Sequence, residues 1–350
     1  MGKNIYLGLL CLLCSMVLSA QDTLKTVKAE SGDGIYSLLR KQGIDPIKYY
    51  EDFINLNQSN LKDGSQLYIG RTYTLPNAPD TLDKIGEEIR LPEAMEYSIF
   101  GKELATVTPV STKLEGTVYY LVSGHGGPDP GAVEHYNGAL LAEDEYAYDV
   151  TLRLARELLS HGAMVYVIVR DENDGIRNER MLKADIDEVV YPNKPIPLGQ
   201  LERLEQRVEV VNELYLKNTG KYQRLLVTHV DSRSKGQNID VFFYHHEKSK
   251  NGEKLAESIH KVFKRKYKQY QPNRIYEGTF SDRSSLYLVK NTLPAMAYIE
   301  IGNIKNKKDQ RRILVPENRQ ALAKWISEGV IEDWESSEQN ADLANNKYDD

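Results

Sequence analysis

Two hydrophobic patterns alternate along this chain from residue 116 onward. Short runs dense in Val, Ile, Leu and Tyr are separated by longer stretches in which apolar residues recur every three or four positions. Runs of the first kind read as buried strands, and stretches of the second kind as helices with one apolar stripe. Val118–Val122 (VYYLV) leads into Ser123-Gly124 and reads as a buried strand ending in a tight loop. Glu143–Leu159 carries Tyr146, Val150, Leu154 and Leu158 four apart, a helix packed on a sheet and closed by Gly162. Ala163–Val169, Leu225–His229, Ile239–Tyr244 and Ala295–Ile301 read as further strands. Leu201–Leu216, Gly252–Tyr267 and Gln310–Ile331 read as helices. This alternation predicts an α/β domain over residues 116–335, its sheet covered on both faces. Residues 172–200 are charged, contain three prolines and are long for a strand-to-helix connection, so they form a surface insertion or a lid.

Residues 26–76 make a separate α+β unit. Thr26–Ala29 reads as a strand, Ile35, Leu38 and Leu39 as a helix stripe, Pro46–Leu56 as a second helix, and Tyr68–Leu75 as a closing strand. Residues 77–115 mix polar segments with Pro79, Pro92 and Pro109 and read as a linker partly packed on the next domain. The polar stretch 336–350 reads as a disordered tail.

Composition narrows the setting. Lys3, an apolar core over Ile5–Leu18 and Ser19-Ala20 mark residues 1–20 as a cleaved signal peptide, too short for a transmembrane span. Leu13 precedes Cys14 where a lipid-anchor signal needs a small residue. Cys11 and Cys14 both lie in the signal, so the mature chain has no thiol for a disulfide, a metal or catalysis. No other apolar run spans a bilayer, so the expectation is a soluble protein of the periplasm or cell envelope. A net charge of −6 argues against nucleic acid or an anionic membrane as partner.

Four polar groups stand at strand ends or at a helix start. His125 follows the first strand between glycines, Glu143 opens a helix 143 − 125 = 18 residues later, His229 ends a strand, and Glu300 lies within AMAYIEI. In open α/β sheets that strand edge is where ligands bind. Taken singly, Glu143 reads as a helix-start acid matched to the macrodipole, and His229 as a core histidine with its hydrogen bonds met. Glu300, flanked by Ile299 and Ile301, needs a partner or a shifted pKa. Together, two imidazoles and a carboxylate are the donor set of a catalytic zinc site with one position left for water, and a second carboxylate suits a proton shuttle. Asp129 and Asp231 read as turn carboxylates, His245, His246 and His260 as surface residues, and His135 and His161 as loop residues.

Two resemblances sharpen this. The words Gly32–Leu38, Asn55-Leu56-Asn57, Leu61–Gly64 and Tyr73–Pro76 give the N-terminal unit a resemblance to a LysM domain, which implies binding to N-acetylglucosamine chains. Gly124-His125-Gly126-Gly127-Pro128-Asp129-Pro130-Gly131-Ala132 opens a second set of words. Glu143 at a helix start, Val167–Asp171, Leu204–Val208, Leu226–His229 and Pro294–Gly302 follow in order. This order resembles the zinc-dependent N-acetylmuramoyl-L-alanine amidases of the type-3 family over residues 116–335. The resemblance implies a mixed sheet flanked by helices, Zn2+ held by His125, Glu143 and His229, and Glu300 as the catalytic proton carrier. It implies peptidoglycan, both glycan strands and stem peptide, as the partner, and leaves any protein activator open. Val122-Ser123, Val230-Asp231 and Asn303 depart from the family words, at loop and substrate-contact positions.

Glu134 and Glu145 compete with Glu143 for the metal. Two residues apart on a helix, Glu143 and Glu145 point about 200° apart. Glu143 lies three before Tyr146 on the sheet-facing stripe, whereas Glu145 turns toward solvent or a flanking loop. Two rival functions fit the same residues: a wall-binding protein without turnover, and a zinc peptidase that cuts within the stem peptide. Zinc content with muropeptide release separates out the first, and product masses the second.

Overall fold

The computed structural model describes residues 24–30, 33–42, 44, 46–62, 66–78, 93–232 and 237–345. The signal peptide with both cysteines, residues 79–92 of the expected linker and residues 346–350 of the expected tail lie outside that set. The chain divides into two compact units, 1–90 and 91–350.

In the first unit, β1 (Thr26–Lys28), α1 (Ile35–Lys41), α2 (Pro46–Asn57) and β2 (Thr72–Thr74) follow in order. β1 and β2 pair antiparallel with Val27 opposite Tyr73, and Ile35, Leu38, Leu39, Phe53 and Tyr73 fill the core between strands and helices. Asn57 locks the end of α2 to β2. Its amide donates to Thr74 O at 2.7 Å, and its Oδ1 accepts from Thr74 N at 2.7 Å.

The second unit begins with β3 (Met95–Glu96) and β4 (Thr106–Val107), followed by β5 (Thr117–Ser123), β6 (Val133–Tyr136) and β7 (Ala139–Ala142). Then come α3 (Glu143–Ser160), β8 (Met164–Val167), β9 (Val169–Arg170), β10 (Val189–Val190), β11 (Lys194–Pro195) and α4 (Gln200–Lys217). The chain continues through β12 (Tyr222–Asp231), β13 (Phe242–His245), α5 (Lys250–Tyr270), β14 (Phe280–Asp282) and α6 (Tyr287–Asn291). It closes with β15 (Ala295–Asn303), α7 (Lys307–Leu314) and α8 (Pro316–Asn345). The central sheet has the order β14-β13-β15-β12-β5-β8. β15, β12, β5 and β8 run parallel and β13 antiparallel to β15, which makes the sheet mixed.

The period-2 geometry of strands divides the core into two layers. Tyr119 and Leu121 of β5, Leu226 of β12 and Ile299 of β15 pack with α3, α5 and α8. Val118 and Tyr120, Leu225 and Val227, and Met296 and Tyr298 pack on the opposite face with α4 and α6. Tyr146, Val150, Leu154 and Leu158 are all fully buried, as the four-residue spacing of α3 requires.

Two segments differ from the sequence expectation. Phe100, Val107 and Leu114, within the expected linker, are buried in the first of these layers, so residues 93–115 belong to the second unit. Their apolar residues are too widely spaced for a periodic pattern to announce them. Residues 336–345, read as disordered tail, continue α8 instead. The helix is already nucleated and packed through Ile326 and Val330, and each added residue then needs little further stabilisation.

Candidate active site

The site is built on the C-terminal edge of β5, β12 and β15. Thr228 of β12 lies opposite Ser123 of β5, and His229 lies opposite Glu300 of β15. Register partners in a sheet share a face, so strand pairing alone sets His229 and Glu300 side by side at neighbouring-strand spacing of about 4.8 Å. Glu300 is 4% exposed.

His125 leaves β5 in a left-handed turn, with φ +63° for His125, +100° for Gly126 and +65° for Gly127. A non-glycine residue there carries backbone strain of about 1 kcal/mol or more, which surrounding contacts must hold. Gly126 N donates to Asp129 O at 2.9 Å, and Arg207 Nη2 donates to His125 O at 2.7 Å. Gly131 (φ +67°) closes the turn. A Cβ there would sit 2.6 Å from the His125 ring and 2.8 Å from Glu143 Oε2. A Cβ on Gly124 would overlap the His229 ring.

Glu143 opens α3 under this loop, its N–H donating to Ala132 O at 2.9 Å. Its carboxylate lies between the two imidazoles. Oε1 is 2.9 Å from His229 Nδ1, and Oε2 is 3.3 Å from His125 Nε2. Backbone donors fix both oxygens: Val230 N on Oε1 and Ala132 N on Oε2, each at 2.9 Å. One donor atom from each of His125, Glu143 and His229 lies within 4.8 Å of the others, a group able to hold a metal ion. Donors on a tetrahedral ion with bonds near 2.0–2.1 Å stand roughly 3.3 Å apart, so the two observed separations suit such an ion.

Surrounding groups orient the imidazoles. Asp129 Oδ2 lies 3.0 Å from His125 Nδ1 and 2.9 Å from Arg203 Nη2. That arrangement aims His125 Nε2 at Glu143, in the way a carboxylate behind a metal-binding histidine fixes its ring. The hydrogen bond to His125 holds the Asp129 carboxyl far below the usual carboxylate range, burial notwithstanding, with the charges of His125 and Arg203 adding to it. Burial draws the His229 pKa down despite Glu143, favouring the neutral ring that a metal needs. For Glu143, burial pulls upward, but the hydrogen bond and charge of His229, and the charge of His125, outweigh it and keep the carboxyl low. The His229 ring stacks on Tyr298, with centroids 4.6 Å apart.

The structure thus gathers His125, Glu143 and His229, sets Glu300 beside His229, and leaves the two competing glutamates outside the cluster. Glu145 pairs with Arg177 at 2.7 Å, and Glu134 lies on β6, where its Oε1 accepts from His135 N. Asp129 is more than the turn carboxylate expected. It does accept from Gly131 N at 3.1 Å, but it also orients His125. Its place four residues after His125 between Gly-Gly and Gly was the available signal; Arg203, 203 − 129 = 74 residues further on, gave none. His245 is buried rather than on the surface, with Nδ1 3.1 Å from His246 O. His260 is half-buried, its Nε2 3.0 Å from Gly278 O.

A mixed α/β sheet carrying a His/Glu/His cluster able to hold a metal ion, with a further carboxylate on the adjacent strand, has the groups that a metal-dependent hydrolase site needs. The family model for N-acetylmuramoyl-L-alanine amidase matches residues 120–332, and the chain belongs to that family. Its activity is hydrolysis of peptidoglycan as an N-acetylmuramoyl-L-alanine amidase. The germination-specific N-acetylmuramoyl-L-alanine amidase of Bacillus subtilis (strain 168) is 27% identical over 230 residues, 64% of this chain and 82% of that one. Among solved structures, the CwlD amidase of Clostridioides difficile in complex with the GerS lipoprotein matches with TM-score 0.47 and 19% identity, covering 63% of this chain and 98% of that one. Cwp6 of Clostridium difficile matches with TM-score 0.46 and 21% identity over 62% of this chain and 29% of that one.

Proposed function

We propose that this chain is an exported zinc amidase, that His125, Glu143 and His229 hold the zinc, and that Glu300 carries the proton. The observation that bears most weight is the Glu143 carboxylate, set between two imidazoles and fixed by two backbone donors. Bound zinc would supply positive charge that polarises the scissile carbonyl and acidifies a water at neutral pH. The chain's own groups do the rest. Asp129 would keep the proton of His125 on Nδ1, leaving Nε2 as the acceptor that would hold the ion. Glu300, beside His229 on the adjacent strand, would take the proton of the attacking water and return it to the L-alanine nitrogen as the amide breaks. The cleft in front of the cluster is lined by Arg203, Leu204, Arg207 and Leu288, so both charge and apolar surface meet the substrate.

The strand–helix–helix–strand unit of residues 26–76 is the LysM-like part of this proposal. It would hold the enzyme on glycan strands and raise its effective concentration at the wall. Residues 1–20 would direct export, placing the enzyme in the periplasm or cell envelope; no described helix is long and apolar enough to cross a membrane. The CwlD structure holds a lipoprotein partner, which makes a protein activator worth seeking here. Digestion of purified sacculi with and without a chelator tests the reading. Stem peptides with a free L-alanine amine, released only without chelator, are expected; chelator-resistant release or cuts within the peptide would refute it.

A further inference from the structure

A second cluster of carboxylates lies behind the first, where the start of α3 meets the inserted segment. Asp144, Glu145 and Glu188 bring carboxylate oxygens within 4.8 Å of one another, and Asp171, Asp185 and Glu188 do the same. Glu188 belongs to both groups, so two triads of acids, drawn from α3, the end of β9 and the insertion, adjoin through it.

Several of these oxygens are spoken for. Glu145 takes Arg177 Nη2 at 2.7 Å and Asp185 N at 3.1 Å. Asp171 Oδ1 accepts from Asn173 N and Asp174 N, and Glu188 Oε2 from Gly127 N at 2.6 Å. Arg177 is the cation in ion-pair contact with the group. Asp144 is different. It is 2% exposed, and while Oδ1 accepts from Glu145 N at 2.9 Å, its buried Oδ2 meets no donor among the described residues. Asp185 Oδ1 is in the same condition. A buried carboxylate oxygen that has lost water and gained no donor is costly, and two of them, each on a member of these carboxylate groups, call for a cation.

We propose that this cluster binds a calcium ion, with Asp144 and Glu188 as principal ligands and Asp171, Asp185 and Glu145 completing the oxygen shell. The donors are all carboxylates, with no imidazole or thiolate, which selects a hard cation. Ligands drawn from a loop and a helix start suit the 6–8 flexible oxygen contacts of calcium better than the rigid octahedron of magnesium. The ion would clamp residues 171–188 onto α3. Through Glu188 and Gly127 N it would also steady the loop that carries His125.

Equilibrium dialysis of the full mature protein against calcium chloride, followed by elemental analysis, tests this. About one calcium per chain is expected, with a dissociation constant on the order of 10⁻⁴–10⁻³ M, typical of extracellular sites. The midpoint of thermal unfolding should rise with added calcium. The double variant His125→Ala, His229→Ala should keep the calcium, whereas Asp144→Asn and Glu188→Gln should each weaken uptake at least about tenfold. No uptake by the parent, no rise in its unfolding midpoint, or loss of calcium with the histidines would each overturn the proposal. So would unchanged uptake in both folded carboxylate variants. Should one of them fail to fold, Asp185→Asn replaces it, and parent-like calcium binding there and in the other overturns the assignment.

Discussion

Glu145 turns its carboxylate onto Arg177, 2.7 Å from the guanidinium, while Glu143, two residues earlier, lies between His125 and His229. The helix angle between them assigns one glutamate to the site and the other to the insertion. Glu143→Ala is therefore expected to lose bound zinc. Glu145→Ala should keep it but lose about 1.5–3 kcal/mol of stability, since Arg177 loses one charged hydrogen bond and is left with Asp174 as its ion-pair partner. Glu134→Ala should change neither. Zinc content by elemental analysis and chemical denaturation read the two effects separately; zinc loss in Glu145→Ala would contradict the assignment.

His125→Ala and His229→Ala each leave two donors of the three. Both should lose zinc under dialysis that leaves the parent loaded, with far-UV circular dichroism unchanged. A variant that retains about one equivalent as tightly as the parent removes its histidine from the ligand set.

Asp129→Asn keeps the shape of the His125 support but removes its charge. Zinc affinity should fall about 10- to 100-fold, the usual consequence of losing the partner behind a metal-binding histidine. Competition with a chromophoric chelator measures this, and parent-like affinity would make Asp129 a loop residue only.

Gly131→Ala places a methyl 2.6 Å from the His125 ring and 2.8 Å from Glu143 Oε2, at a φ of +67°. The left-handed backbone alone makes alanine unfavourable by roughly 1–2 kcal/mol, and the contacts push His125 and Glu143 out of place. Lower stability together with weaker zinc binding is expected; a fall in stability with unchanged zinc binding would show that the loop absorbs the methyl elsewhere.

Much of this architecture was legible because it rests on local periodicity. The stripe of Tyr146, Val150, Leu154 and Leu158, and the strand runs around His125, His229 and Glu300, announce themselves in sequence. Strand ends then bring together residues far apart in the chain, as the pairing of His229 with Glu300, 300 − 229 = 71 positions on, does. What stayed hidden depends on distant or aperiodic contacts. The Arg203–Asp129 pair and the Arg177–Glu145 pair come from the insertion and the helix after it, where no spacing rule applies. Phe100, Val107 and Leu114 are buried one at a time along an irregular path. The β6–β7 hairpin had a plain signal in Asn137-Gly138, both with positive φ (50° and 84°), as a tight two-residue turn needs.

Removal of residues 21–76 should weaken attachment to insoluble peptidoglycan yet leave hydrolysis of a small soluble muropeptide nearly unchanged. Co-sedimentation with sacculi and turnover of the soluble substrate give the two readings. Equal loss in both would make the first unit part of the catalytic fold.

The most direct test of the central claim is the zinc content of Glu300→Gln, measured on the same sample as its turnover. Glutamine keeps the side chain's size and polarity but cannot carry the proton. About one zinc per chain, as in the parent, with turnover lowered about 10²- to 10⁴-fold is the predicted result. Loss of zinc in this variant would make Glu300 a ligand, and parent-like turnover would move the proton-carrying role to another residue; either result contradicts the account.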